Sequence, residues 1–476
     1  MIAQFLVAAA HSNAGKTTVT LGLLRAFQRQ GLRVQPFKCG PDYIDPLHHK
    51  TAAGQDSINL DAFMMSSDHI RGLYRRHSAD ADVCITEGVM GLFDGARRSE
   101  GSSAALATLL DLPIILVLNA KAMAYTAAAL LYGLKGFDPR LRIAGVIFNF
   151  VDSPSHYRLL EEACEDVGIK ALGHLPTNNS LHIPARHLGL DTADATTAIE
   201  AAADHITRHL DLSALLTATA KPARQTPQAP TAPPETPAAP LEGRSAPPAT
   251  PAGHRNPAQG TRRILVARDP AFHFLYPENI RRIEQWGRIE YFSPLRESHL
   301  PGDTDLLYLP GGYPELYPEA LSNNSSLLQD IRAFAAGGKG KILAECGGMM
   351  FLGHSITDES GKAWPMTGLL DIATSIEKKK LTLGYRSTEL AGHTIKGHEF
   401  HYSQALGSPA ASPGVTPTAP PAASPGSSSG SSSGAITRNS QGQPTNTPFF
   451  FEPNIFASYM HVYWGEDPSL LYQWLG

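Results

Sequence analysis

Along the first part of the chain, short Val/Ile/Leu runs alternate with amphipathic stretches. Ile2–Ala9, Arg33–Cys39, Val83–Thr86, Pro113–Leu118 and Ile143–Asn149 are almost continuously apolar, which reads as strands buried on both faces. Thr17–Gln30, Ser102–Leu110, Met123–Gly133 and His156–Val167 space their apolar residues as helices do. The alternation predicts a parallel sheet covered by helices. The pattern restarts with an Arg263–Ala267 strand, a Pro277–Trp286 helix, an Asp305–Leu309 strand, a Leu327–Ala336 helix and a Lys341–Ala344 strand. It then becomes strand-rich around Leu381–Leu390, His393–Tyr402 and Phe449–Met460. Two α/β domains are expected, over residues 1–216 and 263–476.

Between them, residues 217–262 are rich in Pro, Ala and Thr and poor in large apolar side chains. Such a composition cannot bury enough surface to offset the entropy of ordering, so a linker is expected. A second tract of this kind, about 406–447, contains a Ser/Gly run and lies inside the second domain, where it reads as a loop insertion. The 476 residues carry a net charge of −4, which gives no electrostatic reason to expect nucleic acid or an anionic membrane as partner. The start, MIAQFLVAAA, lacks the basic flank of a secretion signal and runs straight into a loop motif. The apolar stretch 112–134 is interrupted by Asn119 and Lys121, where a spanning helix needs about 20 clean residues. Cys39, Cys84, Cys164 and Cys346 are widely spaced, as reduced thiols of a cytoplasmic protein would be.

The first strand is followed by AHSNAGKTT and a helix. A loop in that place offers backbone N–H groups and a positive helix end to phosphates. Gly15, Lys16, Thr17 and Thr18 are therefore the expected nucleotide-binding residues, with Lys16 reaching the phosphates and Thr17 a Mg²⁺ ion. Ala10 stands where the first glycine of the motif is usual, and Asn13 lies three residues before Lys16, where related loops usually carry a glycine. Asn tolerates left-handed backbone better than most residues. Dimerising switch ATPases carry a second lysine at the position of His11, which argues against that class. Two acidic loops follow further strands: GPDYIDP with Asp42 and Asp45, and EGVMGLFDG with Glu87 and Asp94. Glu87 ends its strand like the acid that completes Mg²⁺ binding in phosphoryl-transfer enzymes.

In the second domain, strand 341–344 runs into Glu345, Cys346, Gly347 and Gly348. A strand ending in a nucleophile, then glycines and a helix, is the layout of a nucleophile elbow, and the helix end favours thiolate. The upstream Pro-Gly311-Gly312 turn could supply oxyanion N–H groups. His461, after the last apolar strand, is the candidate base. His398-Glu-Phe-His401 has the wrong spacing for a zinc site, because in a strand the two histidines fall on opposite faces.

The blocks AGKTTVTLGLL, FKCGPDYIDPLHH, NLDAFM, TEGVMGLFDG, LPGGYPELY, ECGGMMFLG, LGYR, GHEFHYS and ASYMHVYW, in this order, resemble the cobyrinic acid a,c-diamide synthase family. The resemblance implies a P-loop domain similar to dethiobiotin synthetase, followed by a class I glutamine amidotransferase domain. It also implies a soluble ligase that uses ATP, Mg²⁺ and L-glutamine to amidate the a and c carboxylates of a corrinoid acid. On that basis Cys346 would attack glutamine, His461 would serve as its base, and N–H groups of Gly312 and Gly347 would hold the oxyanion. Tyr463 stands where many glutaminases have a glutamate, as expected of a Cys–His dyad. Thr17, Asp45 and Glu87 would hold Mg²⁺, and Asp42, Tyr43, Ile44, Asp45 and Asp94 would meet the corrinoid acid. Ammonia would pass between the domains along a sheltered path. The alternatives are hydrogenobyrinic acid or a nickel-tetrapyrrole acid as substrate, and a P-loop regulatory ATPase with a decayed glutaminase half. Cobyric acid synthase shares the architecture, but the GPDYIDP block argues against it. The oligomeric state stays open, a homodimer among the options.

Overall fold

The computed structural model describes residues 2–96, 98–178, 181, 192–221, 262–406 and 435–476. The first domain is built from β1 (Ile2–Ala9), α1 (Lys16–Arg29), β2 (Val34–Cys39), α2 (Ile44–Ala53), β3 (Ile58–Leu60), α3 (Ser67–Ser78), β4 (Val83–Glu87) and α4 (Ser103–Leu110). It continues through β5 (Ile114–Asn119), α5 (Ala127–Phe137), β6 (Ile143–Asn149), α6 (Pro154–Val167), β7 (Ala171–Leu175), α7 (Thr192–His209), α8 (Leu212–Thr219) and β8 (Ala220–Lys221). The strands lie in the order β3-β2-β4-β1-β5-β6-β7, every neighbouring pair parallel. Parallel strands end at one edge, so the loops after β1, β2 and β4 gather where open α/β sheets bind ligands.

The expected strands are present with small shifts in their ends. Helix α5 starts at Ala127 rather than 123, because the Asn119 side chain accepts the Lys121 N–H at 3.1 Å and turns the chain first. The first domain also extends past 216: α8 reaches Thr219, and β8 pairs antiparallel with β1. The expected linker is thus shortened at its start, and residues 222–261 lie outside the described residues.

The second domain contains β9 (Arg263–Ala267), α9 (Pro277–Ile283), β10 (Arg288–Phe292), β11 (Leu306–Leu309), α10 (Pro318–Asn323), α11 (Ser325–Ala336), β12 (Lys341–Glu345) and α12 (Gly347–Leu352). After these come β13 (Ser355–Thr357), β14 (Ala363–Pro365), β15 (Ala373–Ser375), β16 (Thr382–Leu390), β17 (His393–His401) and β18 (Gln404–Leu406). The chain ends with β19 (Phe449–Phe451), β20 (Ile455–Ser458), β21 (Met460–Val462) and α13 (Ser469–Leu475). The main sheet runs β10-β9-β11-β12-β20-β19, parallel except for β19. A ribbon β16-β17-β21 and a small sheet β14-β13-β15-β18 complete it. The expected insertion is narrower than 406–447. Leu406 closes β18, and Arg438 exchanges backbone hydrogen bonds with Ser387 of β16, so only 407–434 lie outside the described residues.

One apolar core crosses the domain boundary: Phe274, Tyr276, Tyr313 and Tyr463 of the second domain pack with Tyr43, Met64 and Leu92 of the first. Polar pairs rim it. Asp61 accepts from the Tyr385 hydroxyl at 2.7 Å, and Glu278 takes Arg76 and His77 at 3.1 and 2.9 Å. Ser66 donates to Glu466 through both its N–H and its hydroxyl.

Candidate active sites

The loop between β1 and α1 wraps the first turn of a helix. Asn13 is left-handed at φ 65°, as expected of an Asn in a glycine position. Gly15 has φ 90°, and a Cβ there would stand 2.1 Å from the Asn149 amide, so this position admits only glycine. Lys16 Nζ reaches across to the Met90 carbonyl at 3.2 Å, over the mouth of the loop. Thr17 Oγ1 donates to Glu87 Oε1 at 2.7 Å, which joins the loop to the end of β4. His11 is exposed on the loop's outer face.

Behind this pair lies a buried ionic cluster that contains two residues the sequence reading did not single out. Lys38, 2% exposed at the end of β2, stands 2.9 Å from Asp45, 3.6 Å from Glu87 and 4.0 Å from Asp42. Burial alone would discharge the ammonium, but the carboxylates of Asp45, Glu87 and Asp42 outweigh it and hold Lys38 well above its usual range. Burial works against the Glu87 carboxylate too, but the Lys38 ammonium and the His49 hydrogen bond and charge together outweigh it, keeping Glu87 below its usual value. His49 links Ser57 at 3.0 Å to Glu87 Oε2 at 2.6 Å. A lysine and a histidine inside otherwise buried segments were the available signals, since such groups stay buried only when paired.

The expected substrate segment divides. Asp42 Oδ1 accepts the N–H groups of Ile44 and Asp45 at 2.9 and 3.1 Å and so opens α2. Asp45 faces Lys38, an ion pair rather than an open oxygen. Ile44 is buried in the core of the first domain. Asp94 is exposed and closes its own loop, accepting the Gly91 N–H at 2.9 Å. Tyr43 points to the other domain: its hydroxyl donates to that of Tyr276 at 2.5 Å, and its ring lies 4.5 Å from that of His461.

Cys346 sits between β12 and α12 with φ 48° and ψ −106°, the strained backbone of an elbow that lifts the side chain off the sheet. Its N–H donates to the Ser458 carbonyl at 2.7 Å, and its Sγ lies 3.7 Å from the Phe400 carbonyl. A Cβ on Gly347 would come within 3.2 Å of the Gly312 nitrogen, so the two expected oxyanion loops do converge beside the thiol. Burial, then the charge of Glu315, pushes the thiol well above its usual range.

His461, in β21, lies opposite His398 of β17 and is fully buried. Its ring presses on Gly311, where any Cβ would stand 2.1 Å from Cε1. Neither ring nitrogen has a hydrogen-bond partner, and burial lowers the group well below its usual value, so the imidazole is neutral. The elbow strand and the His461 strand are joined by Glu345, which accepts from Tyr308 at 2.9 Å and from the Val462 N–H at 3.1 Å.

A neutral imidazole in the same buried region as an elbow cysteine, with paired N–H groups, suits acyl transfer. A phosphate loop tied to a buried acid suits phosphoryl transfer. His398, Glu399 and His401 form no metal centre: Glu399 is spent on Arg386 and His401, and no metal-binding cluster of three such groups exists among the described residues. No helix among the described residues is long and apolar enough to cross a membrane.

Residues 5–190 match the family model of the CobQ/CobB/MinD/ParA nucleotide binding domain. Residues 263–469 match that of the CobB/CobQ-like glutamine amidotransferase domain. Among curated relatives, the hydrogenobyrinate a,c-diamide synthase of Brucella anthropi is 42% identical, covering 84% of this chain and 88% of its own. The cobyrinate a,c-diamide synthase of Syntrophotalea carbinolica is 40% identical over 86% of this chain and 87% of its own. That of Listeria innocua is 36% identical over 99% of both. With both domain models matched and relatives of this similarity spanning nearly its whole length, the chain belongs to the cobyrinate/hydrogenobyrinate a,c-diamide synthase family of glutamine-dependent ligases.

Proposed function

We propose that the chain amidates the a and c carboxylates of a corrinoid acid, cobyrinic acid or its metal-free counterpart hydrogenobyrinic acid, using ATP and ammonia released from glutamine. The observation that carries the reading is the shared wall between the two sites. The ring of Tyr43, between Asp42 and Asp45 of the phosphate-side loop, packs tilted at 34° against His461, centroids 4.5 Å apart. Ammonia made at one site is thus released next to the other, where it stays unprotonated only if shielded from water.

In the second domain the Cys346 thiol attacks the side-chain amide carbon of glutamine. His461 takes the thiol proton and returns it to the leaving ammonia, and N–H groups of Gly312 and Gly347 stabilise the oxyanion. Water then cleaves the glutamyl thioester. In the first domain Lys16 and the amino end of α1 hold the ATP phosphates. The substrate carboxylate attacks the γ-phosphate and ADP leaves, and ammonia then displaces inorganic phosphate from the acyl phosphate to form the amide. The oxygen donors fit Mg²⁺, which is usually held by one or two protein oxygens together with phosphates and water. Thr17 and Glu87 would hold it, with Asp45 next to them on Lys38. A Mg²⁺ ion there supplies charge neutralisation for the β- and γ-phosphates.

The test is ATP-dependent conversion of both acids, followed by mass spectrometry, with glutamine or ammonia as nitrogen donor. Wild type is expected to exchange OH for NH₂ at two carboxyls with either donor, and Cys346→Ala only with ammonia. Failure to amidate either acid, with glutaminase activity intact, would move the substrate to another tetrapyrrole acid.

A further inference from the structure

Ammonia must leave His461 as the neutral molecule, and the surroundings of that ring differ from side to side. The rings of Tyr43 and Phe274 cover two sides of it, with centroids 4.5 and 5.9 Å away. Beyond Tyr43 lies a cavity of about 430 Å³ between the domains, with Lys50, Asp56, Arg281 and Glu284 in its wall. Lys50, Asp56 and Arg281 are about half exposed, so this cavity meets solvent, and ammonia entering it would be protonated.

A further neighbour is His398, which stands opposite His461 in the β17–β21 pairing, so both imidazoles leave the same face of the ribbon. His398 is 7% exposed, and its Nδ1 is buried without a hydrogen-bond partner. Both His461 nitrogens are unpartnered too, whereas buried polar atoms are normally paired. Burial pushes His398 down to about 3 and Arg386 adds to the fall, so the ring is neutral and offers ammonia no acidic proton. From there polar groups continue into the first domain. His398 and Tyr385 meet edge-on at 5.5 Å, and the Tyr385 hydroxyl donates to Asp61 at 2.7 Å. Asp61 follows Leu60, whose carbonyl accepts the Gly40 N–H at 3.0 Å. Asn59, two residues earlier, donates to the carbonyls of Gly40 and Asp42 at 2.9 and 2.8 Å. Asp61 thus adjoins the turn whose Asp42 stands by Lys38.

We propose that His398 is the first station for ammonia between the two sites, its unpartnered Nδ1 accepting an N–H of the neutral molecule and directing it past Tyr385 and Asp61. The inference rests on the proposed reaction, in which Cys346 and His461 release ammonia for the first domain. The ring proton then sits on Nε2, and the transfer moves intact ammonia, with no bond made or broken. Tyr43 has the complementary part of a wall against the charged, solvent-facing cavity. His398 is a positioning residue in this scheme, since it touches neither ATP nor the acid that is amidated.

The test uses the full-length enzyme with ATP and cobyrinic or hydrogenobyrinic acid, and counts the glutamine hydrolysed for each amide formed. Wild type is expected to use a single glutamine per amide. Given glutamine labelled with heavy nitrogen at its amide, and a pool of unlabelled ammonium, wild type should place the label in its products. His398→Phe should raise the glutamine-to-amide ratio about threefold or more, the weight of a neutral hydrogen bond, and leave ammonium-supported amidation within about twofold. His398→Asn, whose side-chain oxygen can stand in for Nδ1, should restore the ratio toward wild type. Label diluted to the composition of the ammonium pool overturns the proposal whether or not the variants fold. So does a folded His398→Phe with an unaltered ratio, or one that loses glutamine- and ammonium-supported amidation in parallel. A wild type that amidates neither acid with either donor would instead defeat the functional reading, and the inference with it.

Discussion

Glu345 shows at the level of one side chain how burial writes a pH dependence. Buried against Tyr308 and the Val462 N–H, its carboxyl is pushed up to about 8 by burial. Between the unfolded value near 4.5 and 8, the folded chain holds a proton that the unfolded chain has released. Folding stability should therefore fall as pH rises through that window, at up to about 1.4 kcal/mol per pH unit. Glu345→Gln lacks this proton, so its melting temperature relative to wild type is expected to improve steadily from pH 5 to pH 8. A constant difference across the window would refute the assignment. Lys38 makes the opposite case, a buried cation that stays charged because three carboxylates surround it. Removing one partner of such a cluster leaves the others uncompensated, so Lys38→Met is expected to cost about 3–5 kcal/mol in denaturant unfolding and to abolish ATP-dependent amidation with ammonia.

At the level of elements, two loops carry the chemistry, and both depend on unusual backbone. The β1–α1 loop turns through a left-handed Asn13. Asn13→Gly should keep the KM for ATP within about twofold, because glycine takes that conformation without strain. Asn13→Val should raise it by about tenfold or more, because a β-branched residue with positive φ is a genuine outlier. Both follow from steady-state amidation with ammonia. The loops themselves were legible in the sequence, since G-K-T-T after an apolar strand and C-G-G after another are local patterns. Helix α2 was not legible. It begins just after a Gly-Pro-Asp turn and carries Pro46 in its first turn, where the missing N–H costs nothing, and it buries Asp45, His48 and His49 among Ile44, Ala52 and Ala53. The strand-rich end was recognised as such, yet its division into separate sheets could not be read, because short strands choose their partners through tertiary contacts.

In the whole molecule the two domains meet through aromatic rings around Tyr43 and polar pairs at the rim. Tyr43→Ala would remove the ring on which His461 rests. Amidation supported by glutamine is expected to fall by about tenfold more than amidation supported by ammonia, since deleting a buried aromatic leaves a cavity that the histidine can fill. An equal fall with both donors would place Tyr43 in the ligase site alone. The amino-acid sequence by itself determined the two α/β halves, the phosphate loop, the elbow cysteine and the family, because strand periodicity and loop motifs are written in neighbouring residues. Only the tertiary structure decided that Asp45 faces Lys38, that Glu87 is shared by Thr17 and His49, that Asp94 closes its own loop, and that Tyr43 serves the interface. Those outcomes depend on which distant groups compensate a buried charge or fill a cavity. Asp61 and Tyr385, for instance, are 324 positions apart, and only packing brings them together.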